Sequence, residues 1–341
     1  MSDARLQDSH HSSNTNRSSA PSKMKNVLIT GGAGFIGSHL VDRLLASGGH
    51  RITVVDNFDD FYDPQIKRSN IASHVGRGDF RLVEIDVADE KAVGDLFAGS
   101  SFECVVHLAA RAGVRPSITR PLDYVRSNVF GAYVLLEGAR RAGVPRFIFG
   151  SSSSVYGLNA KAPFSEDDPI SHPISPYAAT KIAGEAACRV YSHLYGLRVL
   201  CLRFFTVYGA RQRPDLAIHK FARLISQNRP IPIYGDGTTR RDYTYVDDAV
   251  SGVIAAMNYE KSNFEIVNLG ESETVELRRL VELLEQALGR RAILRTEPAQ
   301  PGDVPITYAD ITKARRLLDY RPSTGIERGI SEFVRWFRSK G

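Results

Sequence analysis

Three features of the sequence predict an α/β chain with a doubly wound parallel sheet and a smaller C-terminal lobe. Short apolar runs alternate with amphipathic stretches from Val27 to Phe205, the first run breaks at a glycine-rich turn, and beyond Phe205 the alternation loosens into proline-, glycine- and arginine-rich loops. Regular strand–helix alternation suits a parallel sheet with helices on both faces, because parallel neighbours need long crossovers that a helix fills.

Asn26 to Thr30 saturates with apolar residues like a buried parallel strand, and Phe35, Ile36, Leu40, Val41, Leu44 and Leu45 recur at steps of three and four, predicting a helix over 35–46. Gly31, Gly34 and Gly37 therefore lie at a strand-to-helix turn. The first glycine permits a tight turn, the second lets backbone approach a pyrophosphate, and the third lets the helix lie close to the strand, while the helix N-terminus offers N–H groups to phosphate. A second strand over 51–56 ends in Asp56, whose carboxylate can accept both adenosine ribose hydroxyls and repels a 2′-phosphate. The pattern thus predicts a Rossmann-type NAD site rather than an NADP site.

Further strands are expected at 80–85, 103–107, 146–150 and 197–203, with helices near 89–97, 121–142 and 177–195. Past Phe205, helices near 215–227, 247–258, 275–288 and 326–338 interleave with loops, and the run 264–269 is expected to return to the main sheet. The expected organisation is a disordered tail over 1–23, an NAD-binding domain over 24–205 with returning segments such as 247–270, and a substrate-binding lobe mainly over 206–341. Such a lobe closes the cleft at the carboxyl ends of the strands, where open α/β sheets bind ligands.

The chain has 341 residues, 43% of them hydrophobic, enough for a sizeable core. The net charge of +6 is dispersed among 38 acidic residues with no basic, aromatic-laced block, so a nucleic-acid partner is not expected and an anionic small substrate is. Cys104, Cys188 and Cys201 sit in apolar surroundings without metal-ligand or redox spacing, and read as reduced core thiols. The tail lacks the apolar stretch of a signal peptide, and no later apolar run reaches membrane-spanning length. These features predict a soluble cytoplasmic protein without a membrane partner or a bound metal, and His10-His11 reads as tail composition.

Tyr177 and Lys181 form Y-x-x-x-K at the start of a predicted helix, so the two share one face. A tyrosine of ordinary pKa is a poor base near neutrality, and a nearby ammonium favours the phenolate. Upstream, a strand ends in Ser151-Ser152-Ser153-Ser154, which sets hydroxyls at a strand's carboxyl end, where a substrate oxygen can be gripped.

Taken together, GGAGFIG, Asp56, Asp86-Val87, HLAA at 107–110, Asn128, SSSSVYG at 151–157 and Y-x-x-x-K resemble the extended short-chain dehydrogenase/reductase family, nucleotide-sugar branch, over about 25–338. The resemblance implies bound NAD, a Ser, Tyr, Lys catalytic set of Ser152, Ser153, Ser154, Tyr177 and Lys181, and a UDP- or dTDP-sugar beneath the lobe. It implies a cofactor set of Gly31, Gly34, Phe35, Ile36, Gly37, Asp56, Asn57, Phe58, Asp86, Val87, Leu108, Ala109, Ala110, Asn128, Tyr177, Lys181 and Phe205. Asp86 and Val87 would face the adenine, and Leu108, Ala109 and Ala110 the phosphates and nicotinamide ribose. For the substrate it implies Arg115, Thr206, Arg213, Tyr234, Arg241, Gln300 and Asp303, with Arg241 on the diphosphate and Tyr234 beside the uracil.

Relatives that dehydrate or decarboxylate carry an acidic residue just before V-Y-G, where this chain has Ser154. RAGVRPS at 111–117, RFFTVYGARQRPD at 203–215 and QPGDVPITYAD at 300–310 are similar to UDP-glucuronate 4-epimerases, whereas galactose-type enzymes have Asn at the place of Thr206 and Arg at that of Gln300. The expected activity is 4-epimerisation of a UDP-sugar, foremost UDP-glucuronate to UDP-galacturonate. The alternatives are a UDP-glucose/UDP-galactose 4-epimerase, a UDP-glucuronate decarboxylase, and a catalytically silent NAD-binding regulatory protein. Apolar residues on more than one face of helices 121–142 and 177–195 further predict a homodimer.

Overall fold

The computed structural model describes residues 24–159, 161–298 and 302–340. The expected tail and Gln300 lie outside them.

Strand β1 (Lys25–Thr30) leads through the glycine turn to helix α1 (Phe35–Ser47), then β2 (His50–Val55), α2 (Pro64–Ile71), β3 (Phe80–Val83), α3 (Glu90–Ala98) and β4 (Cys104–His107). Helices α4 (Val114–Thr119) and α5 (Pro121–Tyr124), a π-turn (Val125–Phe130) and α6 (Gly131–Arg141) follow, then β5 (Arg146–Ser152), α7 (Pro176–Tyr195) and β6 (Arg198–Phe204). The second half adds β7 (Thr206–Tyr208), α8 (Ala217–Ser226), β8 (Ile231–Tyr234), β9 (Arg240–Arg241), β10 (Tyr243–Tyr245), α9 (Val246–Met257), β11 (Phe264–Leu269), β12 (Val275–Glu276), α10 (Leu277–Leu288), β13 (Leu294–Glu297), α11 (Thr312–Leu318) and α12 (Ile326–Arg338).

The main sheet has seven strands in the order β11-β6-β5-β4-β1-β2-β3, and every neighbouring pair is parallel. The order reverses between β1 and β4, which opens a crevice at their carboxyl ends. One apolar cluster, with Ile29, Leu40, Val106 and Leu200, continues into the lobe through Phe221 and Leu284, and a second, with Val105, Leu135 and Phe147, lies under α3, α6 and α7. Small ribbons of β7 with β10, β9 with β12 and β8 with β13 carry the lobe. No described helix is long and apolar enough to cross a membrane.

The helix expected over 121–142 is interrupted. Its first turns pass through the π-turn before α6 begins at Gly131, where a Cβ would stand 2.8 Å from a Val87 methyl. Close approach of the helix to the Asp86-Val87 loop requires glycine there, and the local widening turns Asn128 inward. Helix α7 starts cleanly: Ser175 accepts the Ala178 N–H at 3.1 Å and Pro176 occupies the first turn, so the position of Tyr177 is fixed by a cap.

Candidate active site

A cavity of about 480 Å³ runs along the carboxyl ends of the sheet from the glycine turn to Tyr177, Arg213 and Leu216. At its cofactor end, α1 begins without a side-chain cap and without an acidic residue in its first turn, so its free N–H groups are left for an anion. Gly31 has φ 71, and a Cβ there would lie 2.7 Å from the Ala109 nitrogen. A Cβ on Gly37 would lie 2.2 Å from the Gly31 carbonyl, so both positions need glycine for steric reasons.

Asp56 ends this stretch, buried beside the cavity. Burial pushes its carboxyl above the usual carboxylate range, opposed by the Lys67 ammonium 3.8 Å away and by the Phe58 N–H that donates to it. Asn57, Asp86, Val87, Leu108, Ala109 and Ala110 line the same wall, with Gly34, Phe35 and Ile36. An uncapped helix start, a glycine cradle and a buried carboxylate after β2 fit a dinucleotide with a free ribose. Phe58 turns away and carries the Arg68 guanidinium on its ring at 4.0 Å. Asn128 does not reach the cavity: it donates to the Arg111 carbonyl and the Thr180 hydroxyl and accepts the Arg111 N–H, holding the loop after β4.

The reactive end is built by β5 and α7. Ser152, the last residue of β5, lies within hydrogen-bond distance of Ser154, donating to its hydroxyl and accepting its backbone N–H, both at 3.1 Å. Tyr177 is partly buried; burial pushes its phenol up, while a hydrogen bond with Ser152 and the charge of Arg213 pull it down. Lys181 approaches the Tyr177 ring without bonding to its hydroxyl. Its ammonium donates to the Gly150 carbonyl at 2.6 Å and stands 6.0 Å from the Tyr177 ring centre. Burial lowers Lys181 to about 8, opposed by the charge of Glu185. Beneath it His107 accepts or donates across 2.8 Å to Thr30, and burial, with Lys181 adding to it, drives its pKa down to about 3, so the imidazole is neutral.

Arg213 sits in the loop after β7, paired with Asp215 at 2.6 Å, its guanidinium 5.0 Å over the Phe61 ring. Ser153, Phe205 and Thr206 line the cavity beside it. Arg115, Tyr234 and Asp303 meet outside this cavity: Arg115 pairs with Asp303 at 2.6 Å and lies 4.4 Å over the Tyr234 ring, joining α4 to the lobe. Arg241 is partly buried nearby and donates to the Arg240 carbonyl; no acidic partner lies within ion-pair distance among the described residues. Its charge is penalised by burial and favoured by Tyr243 and Asp303. A partly buried guanidinium without an acidic partner suits an anionic ligand.

Sequence reasoning missed several residues. Arg111 lines the cavity and pairs with Asp59 and Asp123. Phe61, Tyr62 and Lys67 also line the cavity, and Lys67 donates to the Asp59 carbonyl at 2.9 Å. The signal for these was the acidic-aromatic run DNFDDFYD after β2, which reads as a loop and gives no register. No group of described His, Cys, Asp or Glu residues is arranged to hold a metal ion.

The model of the NAD dependent epimerase/dehydratase family matches residues 27–270. Among curated proteins, the chain is 43% identical to UDP-glucuronate 4-epimerase 1 of Arabidopsis thaliana, over 92% of this chain and 76% of that protein. Its fold is similar to a UDP-glucuronic acid 4-epimerase from Bacillus cereus solved with UDP-glucuronic acid and NAD, with TM-score 0.87 and 35% identity over 93% of this chain and 100% of the other. It is nearly as similar to a UDP-glucose 4-epimerase from Thermotoga maritima solved with UDP-glucose, with TM-score 0.85 and 34% identity over 92% and 99% of the two chains.

Proposed function

Since the chain belongs to the NAD dependent epimerase/dehydratase family, we propose that it is an NAD-dependent UDP-sugar 4-epimerase whose substrate is UDP-glucuronate and whose product is UDP-galacturonate. The observation that carries the choice of sugar is the partly buried Arg213, which lines one cavity with Tyr177 and a turn that offers only hydroxyls at Ser152, Ser153 and Ser154. A guanidinium and small donors hold a carboxylate; an acidic residue there would repel it.

Bound NAD supplies a reversible two-electron acceptor at C4 of the sugar. Gly31, Gly34 and Gly37 with the start of α1 would hold its pyrophosphate, and Asp56 its adenosine ribose. Tyr177 takes the proton from the C4 hydroxyl as the sugar becomes a 4-keto sugar, and Ser152, with Ser153 or Ser154, donates to the C4 oxygen. Once the sugar has turned about its diphosphate link, so that the opposite face of C4 meets the cofactor, Tyr177 returns the proton to the C4 oxygen. Arg241 and Arg115 hold the diphosphate and uridine so that only the sugar moves. The 4-keto uronate is a β-keto acid, and Arg213 keeps its carboxylate from the alignment that releases CO₂. Phe58 and Asn128 act through the loops they brace, and Thr206, Tyr234, Gln300 and Asp303 remain assigned to the nucleotide-sugar.

Incubation of the holoenzyme with UDP-glucuronate, followed by chromatography, tests this reading. UDP-galacturonate with little UDP-pentose is expected; predominant pentose would make the chain a decarboxylase. We further propose a cytoplasmic homodimer. The exposed Tyr133, Val190, Leu194 and Tyr195 on α6 and α7 suit an isologous four-helix contact, and three buried free thiols suit a reducing compartment. A monomeric mass at micromolar concentration refutes the dimer.

A further inference from the structure

Helix α7 carries a third titratable residue on the face of Tyr177 and Lys181, one turn on at Glu185. Glu185 is buried and does not itself line the cavity. Its Oε1 accepts the Ser151 hydroxyl at 2.6 Å and the Arg203 Nε at 2.9 Å, and its Oε2 accepts Arg203 Nη2 at 2.8 Å. Ser151 is the residue before Ser152, and Lys181 holds the residue before that through the Gly150 carbonyl. The end of β5 is thus gripped at two consecutive residues by two side chains of α7.

We propose that Glu185 is a positioning residue for the reaction: its carboxylate keeps the buried Lys181 ammonium charged and fixes the strand end that presents Ser152, while Arg203 holds the carboxylate in place and takes up part of its charge. This rests on reading Tyr177 and Lys181 as the catalytic pair. Around Lys181 stand Tyr177, Glu185 and Cys188 on α7, Cys201 on β6, the Phe149 ring on β5 and the neutral His107 on β4. Cys201 is kept protonated by its burial. Glu185 is the one anion in this group, so the charge of Lys181 depends on it. Arg203, stacked at 4.8 Å on Tyr156, competes for the same carboxylate from the far side.

The two partners of one buried ion pair therefore have opposite effects on Lys181, which a purely structural pair would not have. The experiment follows the ¹³Cε signal of Lys181 in the NAD-loaded enzyme against pH, assigned by its loss in Lys181→Arg, and in parallel the pH profile of kcat. Glu185→Gln is expected to lower the titration midpoint of Lys181 by about one pH unit or more, because a nearby opposite charge is worth about that much. Arg203→Met is expected to raise it. Should Glu185→Gln fail to fold with its arginine unpaired, the double variant Glu185→Gln/Arg203→Met carries the test and is expected to show the lowered midpoint. An unchanged midpoint in Glu185→Gln or the double variant, or a shift of the same sign for both single variants, overturns the proposal. A shifted midpoint with an unmoved alkaline limb of kcat upholds the role of Glu185 on Lys181 and refutes Lys181 as the catalytic cation.

Discussion

The two ends of the cleft are made of different material. The cofactor end is backbone: a glycine turn, the bare start of α1 and the loops after β2 and β4, arranged by the sheet itself. The sugar end is side chains brought from separate segments, with Tyr177 from α7, Arg213 from the loop after β7 and Phe61 from the loop after β2. A backbone site needs residues at fixed spacing along one stretch, whereas a side-chain site needs only that folding bring them together. The first therefore belongs to the fold and the second to the particular reaction.

Substitutions at the two ends should separate these roles. The largest effect is expected for Tyr177→Phe, which keeps NAD but lowers kcat at least about a hundredfold, since proton transfer by a positioned base contributes roughly 10²–10⁴; bound nucleotide is read by absorbance after denaturation and turnover by product analysis. Arg213→Ala should raise KM for UDP-glucuronate about ten- to a hundredfold and leave that for UDP-glucose nearly unchanged, because a charge-assisted bond is worth about 1.5–3 kcal/mol. Equal losses on both sugars would move the carboxylate contact elsewhere.

Asp56→Ala probes the other end. It should weaken NAD retention and relax discrimination against NADP without altering the ratio between the two sugars, measured by reconstituting the apoprotein with either cofactor. A change in sugar preference would erase the distinction between the ends.

The smallest effect concerns the lobe that covers the sugar end. Burial, with Asp248 and Asp242 adding to it, pushes Glu271 up to about 8, and one of its oxygens has no partner. A carboxyl that binds its proton more tightly when folded stabilises the fold below its ordinary range and loses that contribution as pH rises through about 8. Thermal stability should therefore decline as pH rises from about 4.5 to 8, and Glu271→Gln should flatten the slope in a melting series. An equally steep slope in the variant would assign it to other groups.

This contrast also explains what the sequence disclosed. Gly31, Gly34, Gly37 and Asp56 were legible because strand, turn and helix dictate their spacing, and Tyr177 with Lys181 because one helix face joins them. The π-turn before Gly131 was not, since a helical pattern continues across it. Nor was Arg111, whose partners Asp59 and Asp123 come from elsewhere in the chain. The pull of Arg213 and Ser152 on the Tyr177 phenol was not legible either, because both come from other segments of the chain, as does the Gly150 carbonyl that holds the Lys181 ammonium. Glu185 continues the periodicity of Tyr177 and Lys181, yet its meaning depends on Arg203 from another strand.

The central claim is that the side-chain end of the cleft selects a carboxylate. The most direct test is competition: the holoenzyme is given UDP-glucuronate and UDP-glucose together and the ratio of their kcat/KM values is read from the two products. A preference of about tenfold or more for the uronate is expected, corresponding to about 1.4 kcal/mol. Equal consumption, or a preference for UDP-glucose, would contradict the account.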